Sequence, residues 1–132
     1  MDNHDFSFEG LKVYQLTRQL VKDIYVLVNK LPAIENFALS SQIRRAAVSI
    51  SANIAEGSGR IHQKDKAHFI DIAYGSLMEA YSELITASDL GYISECEVLD
   101  IKSQFVVVAK MLSGLRNSLL NNTNRPPFPH NL

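Results

Sequence analysis

Four stretches of the chain carry apolar residues at helical period, joined by connections of only about 3 to 8 residues. Long helices joined so briefly run antiparallel to their neighbours. The expected fold is therefore all-α, an antiparallel up-and-down four-helix bundle. The first helix is expected over about Phe8 to Leu31, with Leu11, Leu16, Leu20, Ile24, Leu27 and Leu31 as its core stripe and Pro32 as its stop. The second is expected from Leu39 to Gly57, with Ser40 as N-cap and Gly57-Ser58-Gly59 as its C-terminal stop. Its inward stripe is Leu39, Ile43, Ala46, Ala47, Ile50 and Ile54. The third runs from about Gln63 to Leu90 and ends at Gly91; His62 is a poor cap that Asp65 can support by reaching back. The fourth runs from about Ser94 to Leu120, and Ser94 with Glu97 has the spacing of a capping box. The valines at 106–108 fall inside this helical pattern and do not mark a strand. One domain is expected over residues 1–120, followed by an extended Asn- and Pro-rich tail over 121–132.

A chain of 132 residues with 46% apolar and 20% charged residues can bury a core without staples. Its one cysteine, Cys96, excludes an internal disulfide and CxxC chemistry, and it suits a reducing compartment. The acidic N-terminus lacks the apolar run of a signal peptide, and no stretch is long and apolar enough for a membrane span. A cytoplasmic protein without membrane contact is expected. The net charge of −1 conceals a strong segregation. Residues 37–66 carry five basic side chains against two acidic ones, while residues 67–100 carry seven acids and no Lys or Arg. The last 32 residues are again purely basic, so the folded chain can present faces of opposite sign.

Two of the helices are apolar around much of their circumference. In the first, Val13, Tyr14, Val21, Tyr25 and Val28 lie off the main stripe; in the fourth, Val98, Ile101, Val106, Val108 and Met111 do the same. A helix of this kind is buried on more than one side, and a small monomer would leave the second faces exposed. Self-association is the simpler expectation.

The segment from Ser41 to Arg60, SQIRRAAVSISANIAEGSGR, is rich in small residues and permits close approach of a neighbouring helix. Arg45, Ser49, Asn53, Glu56 and Arg60 recur at spacings of three and four and form one polar stripe, with Glu56 and Arg60 in the favourable order for an i,i+4 pair. The third helix offers Ser76, Glu79 and Glu83 in answer. The structural reading is a buried network in which Arg45 pairs with Glu79 or Glu83 and sets the helix register. The functional reading is a ligand site in the bundle.

The strings QIRRAAVSISANIAEGSGR, HFIDIAYGSLMEAYSEL and LGYI make the chain resemble the bacterial 23S rRNA intervening-sequence protein family, once labelled ribosomal protein S23. It is also similar to the accessory variability determinant of diversity-generating retroelements. The likeness extends from FEGLKVYQLT through MLSGLRNSL. It implies a four-helix bundle assembling as a ring-like homopentamer, with nucleic acid as the candidate ligand. Ser51 stands where members commonly have proline and His62 where a Ser or Thr cap is usual, so the second helix is expected to kink less here.

Catalytic readings find little support. There is no paired Glu-x-x-His for a di-iron site, no HExxH and no GxxxxGK[ST], and His62 and His68 cannot share a helical face. No enzyme, cofactor or metal is expected. Two functional classes are left. In the first, Arg44, Arg60, Lys64, Lys66, Lys102, Lys110 and Arg116 hold the phosphates of RNA or DNA without reading sequence. In the second, the chain is a structural adaptor that meets another protein through its acidic third helix or its Pro-rich tail.

Overall fold

The computed structural model describes residues 5–123 and contains four long helices: α1 (Lys12–Val28), α2 (Leu39–Ser58), α3 (Gln63–Asp89) and α4 (Glu95–Thr123). Two short 3-10 turns, Ser7–Gly10 and Ala33–Glu35, precede α1 and α2. Among the described residues there is no strand. The Pro-rich segment with Phe128, and His4 and His130, lie outside the described residues.

Each helix packs against two others, giving a closed ring of neighbours α1–α2–α3–α4–α1. Cross-helix contacts set the directions. Ser7 meets Ser58 and Asn29 meets Arg44, so α1 and α2 run antiparallel. Ser49 with Ser76 and Ser58 with Lys66, Asp71 with Arg116 and Tyr81 with Phe105, and Asp23 with Gln104 and Lys30 with Glu97 show the same for the remaining neighbours. The architecture is the expected up-and-down bundle.

The core is a single cluster in which Leu20, Ile24, Ile43, Ile50, Ile54, Leu77, Leu84 and Leu112 are fully buried. Between α2 and α3 it is built on alanines: Ala46, Ala47, Ala67, Ala73, Ala80 and Ala87 are all buried. Small side chains let the two backbones close up, which makes this the most extensive helix pair. Gly57 lies inside α2 at this seam, where an added Cβ would sit 3.1 Å from Phe69 Cβ and 3.2 Å from the Lys66 carbonyl oxygen.

Several boundaries differ from expectation for local reasons. Residues 7–10 form a 3-10 turn held by Phe6 N–H donating to Glu9 Oε1 (2.9 Å), and the extended Leu11 separates that turn from α1. Ser40 is not a cap: it is buried within α2's first turn, and Glu35 Oε1 accepts the Leu39 N–H instead (3.2 Å). His62 does precede α3 but gives no side-chain cap. Gly91 ends α3 at φ +82, with Tyr92 N–H to Ala87 O and Gly91 N–H to Ser88 O both 2.9 Å, a Schellman stop. The Ser94–Glu97 capping box forms in both directions (2.9 and 3.1 Å). Cys96 is exposed in α4's first turn.

The second apolar faces of α1 and α4 are largely absorbed by the bundle itself. Val13, Val28, Val98, Ile101 and Val108 are buried in the core, and Tyr14, Val21, Tyr25 and Met111 pack against it. The reason is geometric: each helix sits between two neighbours, so its buried arc is wider than one stripe. Exposed apolar residues include Val26 on α1, Tyr74, Met78 and Ile85 on α3, and Leu99, Val106 and Val107 on α4, so of the expected second faces Val106 is left outside the core.

Candidate nucleic-acid interface

The seven cations singled out in the sequence do not form one surface. Arg60 and Lys64 lie around the α2–α3 turn, where Arg60 pairs with Glu56 (2.9 Å) and its guanidinium lies 4.5 Å from the Phe69 ring centre. Lys66 donates to the Ser58 carbonyl (3.1 Å) and helps close that turn. Arg116 is paired with Asp71 across the α3–α4 seam. Lys102 and Lys110 are exposed on α4, which does not neighbour α2. Arg44 belongs to the opposite end of α2, where it donates to Asn29 Oδ1 (3.3 Å) and its guanidinium lies 5.8 Å from the Tyr25 ring centre.

The expected buried network is only partly present. Glu56 and Arg60 form their i,i+4 pair. Ser49 meets Ser76 (2.8 Å), and Asn53 Nδ2 donates to the Ser49 carbonyl and hydroxyl (2.8 and 2.9 Å). Arg45, however, is exposed, and among the described residues it forms no hydrogen bond or ion pair; Glu79 is exposed too. A step of four residues advances about 40° beyond a full turn of an α-helix, so the stripe winds around α2. Asn53 and Ser49 reach the seam with α3, and Arg45 has rotated outward.

That rotation places Arg45 beside Arg44 in an open hollow of about 560 Å³, lined also by Tyr25, Asn36, Phe37, Ser41, Val48 and Ser49. No carboxylate lines it. By contrast, the groove between α1 and α4 is lined by Asp23, Glu97 and Asp100, and the hollow between α3 and α4 by Asp89 and Glu95. Phe37 is 100% exposed at the rim. Its loop is held from beneath, since Glu35 accepts from Leu39 N–H through one oxygen and from the Tyr92 hydroxyl through the other (2.8 Å). That bond raises the Tyr92 phenol above its ordinary range, with burial adding to it. Sequence reasoning missed Tyr25, Asn36 and Phe37 as site residues. The available signal was an aromatic side chain in a polar connection, just ahead of an Arg-Arg pair.

Among the described residues Glu83 is the one strongly perturbed acid. Burial first, then the charge and carboxyl contact of Glu79, raise it from 4.5 to about 7. Glu83 Oε1 is shielded from solvent and receives no donor. The folded chain thus holds a proton that the unfolded chain releases, so this site's contribution to stability falls as pH rises from about 4.5 to 7. Glu83→Gln should raise stability at about pH 8 by about 1 kcal/mol, after discounting for solvent screening, and leave it unchanged at about pH 4. Thermal melts at the two pH values check this.

Among the described residues no three His, Cys, Asp or Glu side chains gather as a metal site would require, and no helix is long and apolar enough to cross a membrane. A family model described as 23S rRNA-intervening sequence protein matches residues 9–114. A crystal structure from Bacteroides thetaiotaomicron VPI-5482, of a protein with unknown function from the S23 ribosomal protein family, is similar in fold, with a TM-score of 0.72 at 24% identity. The match covers 79% of this chain and 97% of that one. No curated protein matches.

Proposed function

The chain belongs to the 23S rRNA-intervening sequence protein family, and we propose that it acts without catalysis, as an assembly of helical bundles that holds the phosphate backbone of RNA or DNA on the outer face of α2. The observation that carries this reading is the Arg44–Arg45 pair, which shares a hollow with no carboxylate, whereas the α1–α4 groove and the α3–α4 hollow at Asp89 are lined by acids. Arg60 and Lys64 form a separate basic spot around the α2–α3 turn, at the other end of α2, about 20 Å away at 1.5 Å per residue. Arginine suits the task because its planar fork matches phosphate oxygens.

Self-association, with a homopentameric ring as the expected form, supports the same reading. Few cations per subunit bind phosphate weakly at physiological salt, and a closed assembly multiplies them through effective concentration. The exposed apolar residues of α3 and α4 supply a surface for it: Tyr74, Met78 and Ile85 recur on one side of α3, and Ile85 and Leu99 line a common hollow.

Fluorescence anisotropy with labelled structured RNA, single-stranded DNA and duplex DNA across a salt series tests the reading, with light scattering on the same samples. Log affinity should fall against log salt with a slope of about −0.9 per neutralised phosphate for duplex DNA and about −0.7 for single strands. Arg44→Glu with Arg45→Glu should abolish binding while leaving the mass unchanged. No binding at about 50 mM salt, where screening is weak, would leave the adaptor reading, with acidic α3 as its contact face. A mass of 14.8 kDa would remove the assembly.

A further inference from the structure

We infer that the hollow at the N-terminal end of α2 is a site for one unpaired nucleotide, so that the ligand is single-stranded nucleic acid rather than duplex. This rests on the nucleic-acid reading above and names the ligand form within it. The groups present are those a nucleotide requires, held on one rim. Phe37 offers a free aromatic face, because its ring is 100% exposed while Arg44 already covers Tyr25. Bases stack on such faces without regard to sequence, but only once they have left the double helix. Arg45 forms no hydrogen bond or ion pair among the described residues, which leaves its guanidinium available to a phosphate. Asn36 and Ser41 line the same space and can bond a base edge or a ribose hydroxyl. A volume of about 560 Å³ falls in the range of ligand sites of this kind.

The Phe37 loop is also built to be rigid. Glu35 receives the Leu39 N–H and the Tyr92 hydroxyl, which ties the loop to the start of α2 and to the α3–α4 connection. The brace fixes the backbone that carries Phe37, so only the rotamers of its exposed ring are ordered on binding, and less of the stacking gain is lost than for a mobile loop.

The probes are a labelled single-stranded uridine oligonucleotide and an RNA duplex of equal length, at about 50 mM salt where screening is weak. Phe37→Ala should weaken single-strand binding about ten-fold, in line with the loss of one stacked base, and leave duplex binding unchanged. Phe37→Tyr should restore it. Arg45→Ala should weaken single-strand binding more than Lys64→Ala does. Equal affinity for both probes, unmoved by Phe37→Ala, would overturn the nucleotide site and leave the basic-face reading intact. Absence of binding by either probe removes both. A fall in assembly mass on Phe37→Ala, with duplex and single strand affected alike, would identify the hollow as a contact between copies and also overturn the inference.

Discussion

Replacing Leu77 with alanine should cost about 2–5 kcal/mol of stability, whereas replacing Arg45 with alanine should cost less than about 0.5 kcal/mol. Leu77 is fully buried on α3, between Ala73 and Ala80. Those neighbours are already as small as a core permits, so they cannot swell into the space a truncation leaves. The loss is then the transfer energy of the removed carbons plus most of the cavity term. Arg45 is exposed and forms no ion pair among the described residues, so its removal strands no opposite charge. Urea or thermal unfolding of the two variants beside the parent decides the matter. A large cost for Arg45→Ala would restore the buried ion pair expected from the sequence, for which removing one partner costs about 3–5 kcal/mol.

That contrast marks where the sequence was legible. The helices, their order, the capping box at Ser94 and the glycine stop at Gly91 follow from local chemistry, and local chemistry acts within a few residues. Ile50 and Ile54 were equally readable, since an apolar stripe at helical period has one place to go. Arg45 was not, because period alone gives the line a residue lies on and not how far that line has wound by the time it meets the next helix. The widened buried arc of α1 and α4 was misread for a related reason: one helix's pattern cannot tell a second neighbour in the same bundle from a second copy of the chain. Phe37 belongs to no period. Its position depends on Glu35 and Tyr92, which are 57 residues apart in sequence.

Gly57→Val should destabilise the bundle by about 1–3 kcal/mol, while Gly75→Ala should stabilise it by about 0.4–1 kcal/mol. Both glycines lie within long helices, where glycine costs roughly 0.5–1 kcal/mol relative to alanine. At Gly75 nothing lies within 4 Å of an added Cβ, so the gain in helix propensity is realised without opposition. At Gly57 the Cβ would meet Phe69 Cβ at 3.1 Å and the Lys66 carbonyl oxygen at 3.2 Å. A carbonyl in the first turn of α3 cannot move aside by changing rotamer; the start of the helix must shift with it. Gly57→Ala should therefore fall near neutral, with the propensity gain offset by the close contact. Valine adds two γ carbons and a stiffer χ1 at the same point. Guanidinium unfolding of the three variants would show the order Gly75→Ala, Gly57→Ala, Gly57→Val from most to least stable. Equal gains from both alanine substitutions would mean that α2 and α3 are not in backbone contact at Gly57, and that the glycine is there only to end α2.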